Sequence, residues 1–133
     1  MIKALLIKRN ENNDLNIQEI TLKNKNNLER YYKLLNCDLI DIQERKINNV
    51  YYDFIFDDEY MLKENEKNNI TASGLINNEI KELIRGNLII CGLAKNGLET
   101  TLKESDISSI KKSIIAIQNE NTNEIIETIK YTF

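Results

Sequence analysis

Histidine is absent from the 133 residues of this chain. The commonest general base and the commonest metal ligand are therefore missing. Ser–His and Cys–His nucleophilic sites are excluded outright. There are only two cysteines, Cys37 and Cys91, and two cannot close a tetrahedral zinc site. Each is isolated and reads as a buried thiol acting as a small apolar filler. Without a secretory context a disulfide is not expected.

Glycine is scarce as well. Gly74, Gly86, Gly92 and Gly97 cannot form the G-x-G-x-x-G fingerprint of dinucleotide binding. Gly92 and Gly97 do have the outer spacing of a P-loop. Leu98-Glu99 follows where a lysine and a hydroxyl are required, so no cation would meet a phosphate. Gly97 instead completes Asn96-Gly97, the strongest short hairpin signal.

Long apolar runs are missing too. No stretch approaches the roughly 20 residues that span a bilayer. The first residues carry a short apolar run and no small-residue cleavage site, so no signal peptide is read and a cytoplasmic location is expected. A basic surplus is also lacking: 18 Lys and Arg stand against 21 Asp and Glu, a formal charge of −3. Bulk nucleic-acid binding by counterion release is therefore not expected, although a local patch stays open. The charge is too small for a DNA mimic.

What is present fits one globular domain over residues 1–133, with no linker and no internal repeat. Apolar residues make up 41%, enough for a core without disulfides or metals. Twenty residues are Asn, and Ile and Lys abound, which suggests an AT-rich coding sequence.

Residues 2–8 read as a buried strand and residues 15–22 as its hairpin partner, with Leu15, Ile17 and Ile20 facing in. Leu28, Tyr31, Tyr32 and Leu35 make one helical stripe. Asn26 with Glu29 resembles a capping box, and Asn36 suits a left-handed stop. Residues 38–44 and 50–56 form a second hairpin through Asn48-Asn49, with Val50, Tyr52, Phe54 and Phe56 on one face. Residues 57–73 read as a polar, irregular connection and the place to look for function.

Ile76, Ile80, Leu83 and Ile84 predict a short helix. Residues 88–93 suit a central strand, and residues 98–102 return beside it. Thr101 and Glu104 offer another capping pattern before a long helix striped by Ile107, Ile110, Ile114 and Ile117. In the tail, residues 124–133, strand propensity competes with a helical spacing of Ile125, Ile126 and Ile129. The fold class that results is α+β: a mixed, mainly antiparallel sheet built from hairpins, with two main helices packed on it.

Asp57-Asp58-Glu59 is the one acidic cluster. Neighbouring residues on an extended chain point to opposite sides, so these carboxylates do not converge unaided, and no metal or other cofactor is expected. Pairing them with Glu64 meets the same objection. Arg85 beside Gly86 can grip a phosphate in bidentate fashion, against the plain reading of a surface arginine. Tyr51 and Tyr60 can stack a base, against simple packing.

Several segments together resemble one family. Tyr32-Lys33-Leu34-Leu35-Asn36-Cys37-Asp38-Leu39-Ile40-Asp41-Ile42 looks like its helix-to-strand step. Tyr52-Asp53-Phe54-Ile55-Phe56-Asp57-Asp58-Glu59, followed by Leu62-Lys63-Glu64-Asn65, looks like its strand ending in acidic residues. Arg85-Gly86-Asn87-Leu88-Ile89-Ile90-Cys91-Gly92 resembles its late central strand, and residues 98–107 its closing step into a helix. The family is the domain of unknown function 3846. The likeness covers most of the chain, with a family-like core of about residues 1–117 and the tail 118–133 outside it. Tyr60 and Glu66 depart from the family pattern, which favours Gly and Pro there.

The family's members are small proteins of bacteriophages, plasmids and low-GC Gram-positive hosts, and no catalytic residues are established for it. The resemblance implies a phage-type accessory or anti-defence protein that binds and sequesters a small anionic ligand, a signalling nucleotide for preference, without catalysis. The ligand would sit at a homo-oligomer interface against Lys63, Asn65, Lys67, Thr71, Ser73 and Arg85, with no membrane involved. Two alternatives stand beside it: a protein inhibitor of a host nuclease or defence effector, and a metal-dependent phosphodiesterase using Asp57, Asp58 and Glu64.

Overall fold

The computed structural model describes residues 1–59, 69–118 and 123–133. The chain opens with strands β1 (Ile2–Arg9) and β2 (Leu15–Leu22), then helix α1 (Leu28–Leu35) and strands β3 (Ile40–Ile47) and β4 (Val50–Asp57). Next come β5 (Ile70–Ile76), β6 (Glu79–Arg85), β7 (Leu88–Lys95) and β8 (Leu98–Thr100). Helix α2 (Glu104–Lys111) and strands β9 (Ile114–Gln118) and β10 (Ile125–Tyr131) complete it. The chain is α+β with mixed, mainly antiparallel sheets, but the strands make two sheets. The larger runs β2-β1-β7-β4-β3, with β8 also paired to β7; the smaller runs β6-β5-β10-β9. Among the described residues, only β5 and β10 pair in parallel.

Asparagine makes the turns. Among the described residues, nine other than Gly have positive φ, and all are Asn, including Asn36 at the end of α1 and the pairs Asn48-Asn49 and Asn77-Asn78. Their side chains tolerate the left-handed region better than any other apart from glycine. Asn77-Asn78 overturns the short helix expected around Ile76–Ile84, since a pair of left-handed residues folds that segment into the β5–β6 hairpin.

The expected long helix is also corrected. α2 stops at Lys111, and Ile114 and Ile117 continue instead in β9. Helical spacing was present, but the β-branched run from Ile114 pairs better with β10, where Ile117 faces Ile126. The open question of the tail is answered the same way, because β10 supplies a central strand of the smaller sheet.

The larger sheet is covered on both faces. Tyr31 and Leu35 of α1 pack on Ile2, Ala4, Leu6, Ile20, Leu22, Ile55, Ile89 and Cys91. On the other face, Leu5, Ile7, Tyr52, Phe54, Phe56, Leu88 and Ile90 meet Ala72, Ile84, Ile129 and Tyr131 of the smaller sheet. Ile107 and Ile110 of α2 join the same core. β2 therefore serves both layers: Ile20 and Leu22 face α1, while Leu15 and Ile17 lie against the intersheet core. The single inward face expected for it is corrected.

Polar groups stitch the layers. The half-buried Arg9 guanidinium donates to Ile70 O at 2.7 Å, to Asn13 O at 2.8 Å and to Glu127 O, tying β1 to both β5 and β10. Arg45 pairs with Glu82, whose carboxylate also accepts the Tyr131 hydroxyl at 2.6 Å. Neither expected N-cap forms. Asn27 precedes α1 and turns its amide back onto Lys23, and Asp106 accepts the N–H of Lys103 at the start of α2.

Candidate functional site

Of the side chains expected to bind a ligand, Thr71, Ser73 and Arg85 are among the described residues. Lys63, Asn65 and Lys67 lie outside the described residues, as do Tyr60 and Glu64. Thr71 is buried as the extra residue of a bulge in β5, and its hydroxyl donates to Gly86 O at 2.7 Å. Ser73 is buried too, with its hydroxyl 2.8 Å from that of Thr128. Both hydroxyls are committed to holding strands together. Arg85, half-buried at the end of β6 opposite Ile70, is the described residue of the set that solvent reaches.

The acidic cluster is pulled apart by turn bonding. Asp57 is buried and accepts the N–H of Glu59 at 2.9 Å, while the N–H of Asp58 donates to Leu39 O. No group of three or more Asp, Glu, Cys or His side chains among the described residues is placed to hold a metal ion. Asp53, 5% exposed, is a buried carboxyl with a shifted proton affinity. Burial pushes its pKa up, the charges of Glu44 and Glu99 add to this, and the hydrogen bond from Ala94 N–H opposes it. Its neighbour Cys91 is held as a thiol by burial and by the charges of Asp53 and Glu99, which makes it a poor nucleophile.

A different constellation emerges where the two sheets meet. A cavity of about 230 Å³ is lined by Lys46 and Asn48 from the β3–β4 hairpin, Lys112, Ser113 and Ile115 after α2, and Lys130, Tyr131 and Thr132 at the end of β10. Three cations from three separate elements converge, and no carboxylate among the described residues lines the space. None of these lysines makes an ion pair among the described residues. Lys112 alone would be explained by the negative end of the α2 dipole. That account does not extend to Lys46 and Lys130, which come from strands.

The walls are fixed by hydrogen bonds. Lys46 and Thr132 exchange two backbone bonds of 2.8 Å, and Lys130 N–H donates to Ser113 O at 2.7 Å. The Asn48 amide reaches Ser109 Oγ at 2.7 Å and Ser113 Oγ at 3.2 Å. The Lys46 ammonium lies 5.5 Å from the centre of the Tyr51 ring, itself 46% exposed. Such a rigid, cation-rich recess suits a phosphate or carboxylate group, with an aromatic face within reach of its rim.

A larger cavity of about 580 Å³ lies beside α1, with Lys23, Arg30 and Lys33 in its lining. It is built from one helix and the turn before it, and Glu29 offsets part of its charge.

The lysine recess was hidden in the sequence. Lys46, Lys112 and Lys130 are separated by whole elements, and only the meeting of β3 with β10 unites them. Lys111-Lys112-Ser113 was the sole local signal, and it reads equally as a helix end.

Fold and recess together define a two-sheet α+β domain with a cation-lined pocket. Residues 2–115 match the family model described as a domain of unknown function (DUF3846), and the chain belongs to that family. No curated protein and no solved structure gives a significant match. No helix among the described residues is long and apolar enough to cross a membrane.

Proposed function

We propose that this protein binds and holds a small anionic ligand without transforming it. The phage-type, anti-defence setting implied by its family then favours a signalling nucleotide. The observation that carries the reading is the recess of Lys46, Lys112 and Lys130, which among the described residues offers three cations and no carboxylate. The ammonium groups would neutralise phosphate, Asn48 and Ser113, whose donors are spent on Ser109 and on each other, would hold the wall, and Tyr51 offers a ring for a base. Binding of this kind needs no general base, in keeping with a chain that lacks histidine.

The test is depletion. The protein is incubated with cyclic nucleotides and ADP-ribose derivatives, separated from solution, then heat-denatured. The expected outcome is loss of at least one compound from solution and its recovery unchanged after heating. Lys112→Ala with Lys130→Ala should weaken that binding by at least about tenfold, or roughly 1.4 kcal/mol. If no compound is depleted, the reading fails.

A second reading, a protein that inhibits a host nuclease or defence effector, draws on the exposed apolar residues of the tail, Ile125 at 68% and Phe133 at 39%. It predicts a stable complex with a host protein that Ile125→Asp disrupts, and no depletion of small ligands.

A further inference from the structure

We propose, resting on the anion-binding reading of the lysine recess, that the group it takes is a diphosphate: the two joined phosphates of a nucleoside diphosphate, or of a nucleotide bridged to a second sugar. Size, charge and reach each favour that class over a cyclic phosphodiester.

A cavity of about 230 Å³ is too small for a whole nucleotide, since pockets that enclose drug-sized ligands run from about 300 to 1,000 Å³. It is too large for one phosphate, because at ~30 Å³ per water it has room for about seven waters. Two joined phosphates fill it and leave sugar and base outside.

Charge agrees. Lys46, Lys112 and Lys130 bring three positive charges, and no carboxylate among the described residues lines the space. A cyclic phosphodiester brings one negative charge and would leave two ammonium groups unmatched as the recess is filled. A diphosphate brings two or three. All the cations are lysines, compact charges that close round tetrahedral groups from several sides. A carboxylate is better matched by the planar fork of an arginine.

Register supplies the reach. Tyr51 stands directly opposite Lys46 in the β3–β4 ladder, and Lys46 stands opposite Thr132 across the bridge to the end of β10. Opposite residues share a face of the sheet, as do residues two apart on a strand, so Tyr51, Lys46, Thr132 and Lys130 face one way. The Thr132 hydroxyl makes no hydrogen bond among the described residues and is open to a ligand. Neighbouring strands are about 4.8 Å apart, which sets Tyr51 about 10 Å from Thr132 across the sheet. One phosphate at Thr132 and Lys130, with the next at Lys46, leaves only a ribose to carry a base to the Tyr51 ring. A single phosphate at Thr132 falls a step short.

Isothermal titration of the chain with inorganic pyrophosphate, inorganic phosphate, ADP, ADP-ribose and 3′,5′-cyclic AMP at matched ionic strength tests this. Pyrophosphate should bind at least about tenfold tighter than phosphate. ADP and ADP-ribose should displace it and cyclic AMP should not, and the tighter of the first two tells whether the diphosphate is terminal or bridging. Lys112→Ala with Lys130→Ala should abolish the preference for pyrophosphate and leave the circular dichroism unchanged. Thr132→Val should weaken pyrophosphate severalfold. Pyrophosphate bound no tighter than phosphate, or displaced by cyclic AMP as well as by ADP, overturns the diphosphate assignment. Depletion of a cyclic nucleotide alone overturns it too, yet leaves the anion-binding reading standing. If nothing is depleted and neither inorganic anion binds, both fall.

Discussion

At the scale of single residues, two charged side chains do structural work that can be measured. Arg9 spends its donors on carbonyls from three segments, so its removal leaves the part-buried Ile70 carbonyl without this partner and unties β1 from β5 and β10. Arg9→Ala should cost about 2 to 3 kcal/mol in urea unfolding. Arg9→Lys should recover little of it, because one ammonium cannot span that fork. Asp53 works against the fold. Its carboxyl holds a proton more tightly in the folded chain than in the unfolded one. Its contribution is therefore least unfavourable below the ordinary carboxyl range, and stability is lost as pH rises through that range toward the folded value. Asp53→Asn keeps an oxygen for Ala94 N–H and removes the charge. In urea titrations the variant should exceed the parent at neutral pH and lose that advantage in acid.

Elements were legible wherever turn chemistry and alternation agreed. The β1–β2 and β3–β4 hairpins, the α1 stripe and the β7–β8 turn could all be read from spacing, because Asn48-Asn49 and Asn96-Gly97 lie between segments of clear period. β6 and β9 could not, since their isoleucines also fall at helical intervals, and only pairing partners far along the chain decide between the two. The neglected clue was Asn77-Asn78, the same signal as Asn48-Asn49. With four glycines and no proline, this chain entrusts its turns to asparagine. Asn78→Ala should therefore cost about 1 to 2 kcal/mol of stability, while Asn78→Gly should be nearly neutral; thermal melts of the two variants check this.

For the whole molecule, the decisive fact is that a second sheet takes the place expected for a second long helix. The intersheet core depends on contacts between residues distant in sequence. Phe54 meets the Tyr131 ring edge-on, with centroids 5.0 Å apart. Phe54→Ala should cost about 3 to 5 kcal/mol in chemical denaturation, because neither sheet can close alone on the space left. Gly92 marks a second close approach. A β-carbon there would come within 2.7 Å of Thr100 O, so Gly92→Ala should lower the melting temperature by displacing β8. The candidate site belongs to this scale as well, since its three lysines are gathered by tertiary structure alone.

The left-handed asparagines also carry a clock. An Asn side chain can close on the following backbone nitrogen and later open as aspartate or isoaspartate, most readily where glycine follows, and such amides are among the thermally labile groups of proteins. Asn96-Gly97 sits in a tight exposed turn with both residues at positive φ. Aged protein should thus accumulate negative charge and an inserted backbone methylene first at that hairpin, visible by isoelectric focusing and peptide mapping. In a chain that bends on amides, shelf life is written into the corners.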